Sequence, residues 1–253
     1  MRRLRLLLAY DGTDFAGWQI QPELRTVQGV LAAALTRLNG DRPVSVRGAG
    51  RTDAGVHALG QVADCGFAGE LPDAGVAHAL SRMLPDDLRV LAVATVADGF
   101  HAGRHAQAKV YVYRVDRSPH GDPFLRRFAA RHPGPLDQEA MERALACIPG
   151  RRDWSGFTAA SCTVEDKVRT VFTARYAEEE ALGRFTFVGE GFLTHMVRNL
   201  VGTLLDVGRG RFTPERITEV LESGDRSLAG PTAPAAGLFL ERVVYENAPG
   251  GSA

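Results

Sequence analysis

The 253-residue chain predicts an α+β protein made of two related halves. Segments with apolar residues at every second position alternate with segments whose apolar residues recur at helical spacing. In the first half their order is β-α-β-β-α-β, which is the split βαβ arrangement. The second half repeats this order loosely. The strands of both halves are predicted to be antiparallel and able to share one continuous sheet.

The first half opens with the strand RLRLLLAY, in which every second residue from Leu4 to Tyr10 faces the same side. A helix follows, with Thr26 as its cap and Gly40 as its stop. The apolar stripe of that helix comprises Val27, Val30, Leu31, Ala34, Leu35 and Leu38. After PVSV and a glycine-rich loop, GQVADCGF continues as a strand. A second helix near Asp73–Met83, ended by Pro85, and a strand at DLRVLAVATV complete this half.

The second half begins with the strand AKVYVYRV, which has Tyr111 and Tyr113 on one face. A helix capped by Asp137 follows, and RTVFTARYAEEEALGRFTFVGEG predicts a hairpin with an acidic turn. FLTHMVRNLVGTLLDVGRG predicts a helix that ends at Gly208 or at the glycine two residues later. A short helix with Thr213 as its cap, followed by proline, precedes the closing strand GLFLERVVY.

The sequence also predicts the domain boundaries and the cellular environment of the protein. We expect one half at residues 1–103, a second at 104–247, and a disordered tail at 248–253. The absence of any run of 18 apolar residues argues against a membrane span, and the N-terminal segment is too short for a signal peptide. Three scattered cysteines without a CxxC motif predict neither a disulfide framework nor a zinc site, and they fit a reducing cytoplasm.

Charge alone does not indicate a nucleic-acid partner. The formal net charge is zero, although a local basic patch is compatible with that total. Of the 30 basic residues, only Lys109 and Lys167 are lysines. Arginine suits phosphate and base recognition. A GC-rich coding sequence explains the arginine content equally well, so composition decides little.

The loop GAGRTDAGVH presents Asp53 as the strongest candidate for chemistry. The alternative is a turn aspartate that binds its own backbone, which is the usual role of Asp beside Gly. The loop lacks both GxxxxGK[ST] and GxGxxG, so it does not predict a nucleotide cradle. His101 and His105 have the spacing i, i+4 but no nearby third ligand, and we predict no metal there.

Two distant residues favour a site at Asp53. Arg198 lies in a segment that is apolar on most of its helical circumference, which predicts a buried helix. A buried guanidinium needs a carboxylate, and Asp53 is the economical partner; Asp206, two turns along the same helix, is the alternative. Tyr111 offers an aromatic face on which a base can stack. These residues suggest a site without naming its reaction.

Seven segments, in order, are similar to the tRNA pseudouridine synthase A family. They are YDGTDFAGWQIQP, RTVQGVLAAAL, GAGRTDAGVHALGQV, DDLRVLAVATVADGFHA, AKVYVYRV, FLTHMVRNLVGTLLDVGRGR and AAGLFLERVVY. The resemblance runs from about residue 4 to residue 245. The GRTDAGVH and HMVRN segments are highly specific in combination.

The resemblance implies a role for four residues. Asp53 matches the catalytic aspartate, and Arg51 matches the arginine that contacts RNA and helps to hold the target uridine out of the stack. Tyr111 matches the tyrosine that stacks on the base and takes part in proton removal, and Arg198 matches the basic partner of the aspartate. The predicted substrate-binding residues are Arg51, His57, Lys109, Tyr111 and Arg114.

The chain departs from the family pattern before Tyr111, where Lys109-Val110 stands in place of two basic residues. Arg114 and Arg117 are able to compensate on the same strand. The predicted RNA footprint therefore depends on local clustering of basic residues. Its candidate members are Arg104, His105, Lys109, Arg114, Arg126 and Arg127.

The resemblance also implies a fold, a substrate and an assembly. It implies the pseudouridine synthase fold, with two RRM-like halves and a central cleft, a homodimer, and no metal or organic cofactor. It implies isomerisation of uridines 38, 39 and 40 in the anticodon stem-loop of tRNA.

Two other classes stay open from the residues. One is a non-catalytic RNA-binding protein, although the chain lacks the RNP1 motif of RRM domains. The other is a hydrolase with an aspartate nucleophile, for which His57 is the only nearby candidate base.

Overall fold

The computed structural model describes residues 1–245, and its contacts divide the chain into two compact units. Among the described residues, the first unit comprises Met1–Gln107 and residues 240–245, and the second comprises Ala108–Phe239. The predicted tail at 248–253 lies outside the described residues. The predicted halves, 1–103 and 104–247, stay a prediction, since compactness does not by itself show independent folding.

Ten strands and five α-helices make up the described chain. The strands are β1 (Arg2–Tyr10), β2 (Val46–Gly48), β3 (His57–Phe67), β4 (Leu88–Val96), β5 (Ala108–Asp116), β6 (Ala130–Arg131), β7 (Gly150–Asp153), β8 (Val168–Glu179), β9 (Leu182–Gly189) and β10 (Leu238–Val244). The helices are α1 (Val27–Leu38), α2 (Asp73–Met83), α3 (Gln138–Ala146), α4 (Met196–Gly208) and α5 (Arg216–Ser223).

The first unit has the predicted β-α-β-β-α-β order, and its strands follow one another in the sheet as β4-β1-β3-β10, with β2 also paired to β3. The leucines of β1 confirm the period-two prediction, because Leu4, Leu6 and Leu8 are all 0% exposed. The Thr26 side chain accepts a hydrogen bond from the Gly29 amide and so caps α1 as predicted.

In the second unit, the strand order is β5-β9-β8-β7, and β6 pairs with β5 as a short parallel addition. The predicted hairpin is β8–β9, closed at Glu180, whose φ is +55°. Asp137 caps α3 by accepting from the Ala140 amide at 2.9 Å. Helix α4 is buried on all sides, as predicted. The predicted burial of Arg198 was wrong, because Arg198 is the one residue of the helix that is only partly buried.

One local prediction was wrong, and one strand was not predicted. Helix α5 begins at Arg216 rather than beside Thr213, because the Thr213 carbonyl accepts the Arg216 amide in a turn that precedes the helix. The short strand β7, with the sequence GRRD, was not predicted, since two adjacent arginines lack an apolar alternation. The α+β class and the mostly antiparallel pairing are confirmed.

Candidate active site

The loop that carries Asp53 is fastened by backbone hydrogen bonds at both ends. The Ala49 amide donates to the Val62 carbonyl at 2.7 Å, and the Trp18 amide donates to the Thr52 carbonyl at 3.0 Å. Within the loop, the Val56 amide donates to the Asp53 carbonyl at 3.1 Å. The glycine-rich composition therefore does not produce a loose segment. Asp53 itself is partly exposed.

Glycine is required where the segment after β1 lies against this loop. Gly17 has a φ of +93°, and a Cβ at this position would stand 2.7 Å from the Thr52 carbonyl oxygen and 3.1 Å from the Asp53 carbonyl carbon. A Cβ on Gly12 would overlap the Val56 carbonyl. Only backbone without side chains can approach the Asp53 loop this closely.

Buried side chains support the loop from behind. The hydroxyls of Tyr10 and Thr52 share a hydrogen bond at 2.9 Å, and Gln61 Nε2 donates to the Gly50 carbonyl at 2.9 Å. Burial raises the pKa of Tyr10 to about 12, so its hydroxyl keeps its proton at neutral pH. These hydrogen bonds hold the buried side of the loop in place, and Asp53 stays partly exposed.

His57 is buried behind the loop and is 1% exposed. Its Nδ1 accepts a hydrogen bond from the Gly12 amide at 3.0 Å and is 3.2 Å from Asp11 Oδ1. The buried ring is therefore fixed between the Gly12 amide and the Asp11 side chain. This geometry gives His57 a structural part in holding the loop, while a contact with substrate stays a prediction.

Arg51 is exposed and lines a pocket of about 230 Å³ in the first unit. The other lining residues are Trp18, Gln19, Gln28, Val46, Arg47, Gly48 and His101. Arg47 is held by Asp64, which is fully buried and 2.5 Å away. The pocket therefore offers an exposed guanidinium two residues from Asp53, as the assignment of Arg51 to RNA contact requires.

His101 and His105 accept hydrogen bonds from backbone amides of their own loop. His101 Nδ1 accepts from the amides of Gly103 and Arg104, at 3.1 and 3.3 Å, and His105 Nδ1 is 3.4 Å from the His101 amide. No group of three His, Cys, Asp or Glu side chains in the described part of the chain is arranged to hold a metal ion.

In the second unit, Tyr111 stands on β5 opposite Phe187 of β9 and is 7% exposed. Its ring meets that of Phe192 edge to face, with 5.2 Å between centroids. Tyr113 donates its hydroxyl to the Pro234 carbonyl at 2.8 Å, and burial raises its pKa. The two tyrosines therefore differ in their contacts. The Tyr113 hydroxyl is held in the core by a hydrogen bond, whereas the Tyr111 ring packs against Phe192.

Arg198 is directed by the segment that precedes β10. Its Nε donates to the Ala233 carbonyl at 2.7 Å, and the Ala233 amide donates back to the Arg198 carbonyl at 3.1 Å. The neighbouring Asn199 accepts from Thr232 Oγ1 at 2.7 Å and from Arg226 at 3.1 Å, which pins the same segment to α4. Gly202 lets this segment touch the helix backbone at Pro231.

The remaining predicted residues are placed differently from one another. Burial and the nearby Arg169 lower the pKa of Lys109. Arg114 stacks its guanidinium over the Phe239 ring at 4.2 Å. Asp206, the alternative partner of Arg198, is buried and ion-paired with two arginines of its own, Arg209 at 3.3 Å and Arg211 at 3.2 Å.

The structure thus places Arg51 and Asp53 on one loop, with His57 at the start of β3 directly after it, and Lys109 and Tyr111 on one face of β5. The pairing of Asp53 with Arg198 and Tyr111 stays a prediction. Sequence reasoning missed Phe192, which contacts Tyr111, and Ala233, which directs Arg198. Neither has a local signal, because both contacts join residues far apart in the chain.

Comparison with known proteins identifies the class. A family model described as tRNA pseudouridine synthase matches residues 7–103 and 144–246. The chain therefore belongs to the tRNA pseudouridine synthase family, isomerases that convert uridine in tRNA to pseudouridine. The match includes Arg51, Asp53 and Arg198, whereas Tyr111 lies in the unmatched stretch 104–143.

Individual relatives specify the branch of the family. tRNA pseudouridine synthase A of Streptococcus mutans is 43% identical over 249 residues, covering 98% of this chain and 100% of that protein. The protein of the same name from Latilactobacillus sakei is 44% identical, covering 97% of this chain and 99% of its own. A chain from a solved Cbf5-Nop10-Gar1 complex superposes only loosely, with a TM-score of 0.36, 13% identity, and coverage of 79% of this chain and 54% of that chain. The assignment therefore rests on sequence.

Proposed function

We propose that this isomerase converts uridines 38, 39 and 40 of the tRNA anticodon stem-loop, with Asp53 as its nucleophile. The observation that carries the proposal is the hydrogen-bonded loop that contains Arg51 and Asp53. It holds Asp53 partly exposed beside Arg51, while the backbone of the loop is fixed from behind. A carboxylate held in this way does not have to be ordered when the substrate arrives.

The reaction moves a glycosidic bond within one nucleotide. The base leaves the stack, which costs a few kcal/mol, and the Asp53 carboxylate attacks either the ribose C1′ or the base C6. The N1–C1′ bond breaks, the base turns, and a C5–C1′ bond forms. The bond between Asp53 and the nucleotide breaks, which regenerates the free carboxylate. The proton on C5 then leaves and N1 gains one, so the product is an isomer of uridine.

Three further residues act on the same nucleotide in this proposal. Arg51 contacts a phosphate or fills the space that the flipped base leaves, and Tyr111 stacks on the base and helps to remove the C5 proton. Arg198 pairs with Asp53, and the direction of the Arg198 side chain is fixed by Ala233. We also propose that the enzyme works as a homodimer without a cofactor.

The hydrolase alternative is weakened by the surroundings of His57. A base beside Asp53 would need an accessible ring nitrogen, but His57 is 1% exposed and its Nδ1 already accepts from Gly12. The alternative of a passive RNA-binding protein is inconsistent with membership of an isomerase family.

The test uses tRNA transcripts with uridine at one of the three positions and cytidine at the other two. Each transcript is incubated with the protein without added metal, and pseudouridine is mapped by position. We expect pseudouridine at each single-uridine site and none in a transcript that lacks all three. Pseudouridine confined to another part of the tRNA, or release of free base, would contradict the proposed substrate or reaction.

A further inference from the structure

Three cations of the second unit occupy one face of its sheet, the face on which Tyr111 stands. Lys109 on β5 lies opposite Gly189 of β9, which lies opposite Val171 of β8. Arg169 is two residues before Val171, and therefore on the same face. Arg152 of β7 lies directly opposite Arg169. The face thus carries Tyr111, Lys109, Arg169 and Arg152 in turn.

Two glycines beside these cations allow neighbouring side chains to pack closely against the backbone. Gly189 has no side chain between Lys109 and Val171, and a Cβ there would stand 3.1 Å from the Phe192 ring. A Cβ at Gly191 would stand 3.6 Å from Cδ of Arg169. The Phe192 ring, which meets the Tyr111 ring edge to face, therefore packs against Gly189, between Lys109 on β5 and Val171 on β8.

The two cations nearest to Tyr111 have no carboxylate partner within residues 1–245. Lys109 has neither a hydrogen bond nor an ion pair from its ammonium there, and the guanidinium of Arg169 donates to the carbonyls of Asp166 and Val168 at 3.0 and 2.6 Å. Neighbouring carboxylates accept backbone amides instead: Asp153 from Ser155, Asp166 from Val168, and Glu190 from Thr170.

This arrangement costs stability unless an anion completes it. Like charges directly opposite each other in a sheet are destabilising, as for Arg152 and Arg169. Burial and the charge of Arg169 lower the pKa of Lys109, so holding that ammonium in its charged form is unfavourable in the folded chain. A bound anion would offset both effects.

We propose that Lys109, Arg169 and Arg152 bind the phosphates of the tRNA strand that continues from the nucleotide held at Tyr111. The inference rests on the proposed function and adds Arg169 and Arg152 to its binding residues. The three cations span three strand spacings of about 4.8 Å, or roughly 14 Å in all. A row of that length fits a chain of phosphates better than one small ion. Arginine forks also suit phosphate oxygens.

Arg151 provides a matched control, because it adjoins Arg152 on β7 but points to the opposite face of the sheet. We would prepare Arg169→Gln, Arg152→Gln and Arg151→Gln, and also Arg169→Lys, which keeps the charge. For each we would measure tRNA affinity as a function of salt and the kcat/KM of pseudouridine formation, after thermal melts have shown that each variant is folded.

The expected effect of each substitution depends on which face of the sheet the side chain occupies. Arg169→Gln and Arg152→Gln should each reduce the slope of log affinity against log salt by about 1, the loss of one phosphate contact. Their kcat/KM should fall several-fold, Arg169→Lys should recover most of the loss, and Arg151→Gln should match wild type. Equal slopes for all three glutamine variants would overturn the inference while leaving the proposed function intact. A wild-type protein that makes no pseudouridine at positions 38–40 would overturn the proposed function instead.

Discussion

Arg198 and Ala233 are joined by two hydrogen bonds, from Arg198 Nε to the Ala233 carbonyl at 2.7 Å and from the Ala233 amide to the Arg198 carbonyl at 3.1 Å. The first bond uses the nitrogen nearest to the aliphatic stem, so it fixes the plane of the guanidinium. The terminal nitrogens are thereby directed as a rigid fork. The proposed pairing with Asp53 depends on that direction as well as on the charge.

Arg198→Lys tests this dependence, because lysine keeps the charge but has no Nε–H donor for Ala233. We expect kcat to fall by about 10–100-fold, the cost of a misplaced catalytic group, while tRNA affinity stays within about 2-fold of wild type. Single-turnover kinetics and filter binding measure the two quantities. Wild-type kcat in Arg198→Lys would show that the charge alone is sufficient.

Tyr111→Phe removes a hydroxyl and keeps the ring that meets Phe192. We expect near-normal tRNA binding, since stacking needs only the ring, and strongly slowed pseudouridine formation, since proton removal needs the hydroxyl. Single-turnover rates at saturating enzyme give the comparison. Should the phenylalanine variant react at the wild-type rate, Tyr111 only stacks and another group removes the proton.

Gly17→Ala is expected to disturb the Asp53 loop from outside it. The new Cβ would stand 2.7 Å from the Thr52 carbonyl, at a φ of +93° that alanine rarely adopts. We expect a loss of about 1–3 kcal/mol in the free energy of unfolding and a marked loss of kcat. Gly40→Ala is the control, because its φ is +66° and it has no neighbour within 4 Å.

Gly40→Ala should lose about 1 kcal/mol in the free energy of unfolding, because alanine must adopt a left-handed backbone conformation. It should keep the wild-type kcat. Chemical denaturation and initial rates separate stability from activity. If both glycine variants lose activity equally, the contact between Gly17 and the Asp53 loop is not what positions the carboxylate.

Lys109→Met should weaken tRNA binding without destabilising the fold. The lowered pKa means that protonated Lys109 is disfavoured in the folded state. The unfolded chain therefore binds more protons between that lowered pKa and the ordinary value of about 10.4, and stability rises with pH through this window. Methionine keeps the buried stem and removes the charge, so at pH 7 the variant should be as stable as wild type or more so.

Denaturant unfolding at several pH values measures this effect. The difference in unfolding free energy between Lys109→Met and wild type should shrink as the pH approaches the ordinary lysine pKa. A variant clearly less stable than wild type at pH 7 would show that the ammonium has a stabilising partner and would count against the proposed phosphate row.

Local patterns predicted much of the fold. The alternation of Leu4, Leu6 and Leu8, the cap at Thr26 and the buried circumference of α4 each follow from neighbours in sequence, and the structure confirms all three. The start of α5 was predicted wrongly because Thr213 and the following proline form a helix-start signal that the structure uses for a turn.

The site was less accessible to sequence reasoning. The close approach to Thr52 and Val56 depends on Gly17 and Gly12, which belong to the segment after β1 and not to the loop that carries Asp53. The row of Lys109, Arg169 and Arg152 depends on strand register across β5, β9, β8 and β7. This register pairs residues far apart in the chain, such as Lys109 and Gly189, and no local motif records it.

The role of Asp53 is tested most directly by Asp53→Asn in a single-turnover assay with tRNA that carries uridine at the three proposed positions. The amide keeps the size of the side chain and loses its nucleophilicity. We predict that wild type forms pseudouridine, and that Asp53→Asn binds the same tRNA with similar affinity and forms none. Pseudouridine formation by verified Asp53→Asn protein at an appreciable rate would contradict the assignment of Asp53 as the nucleophile.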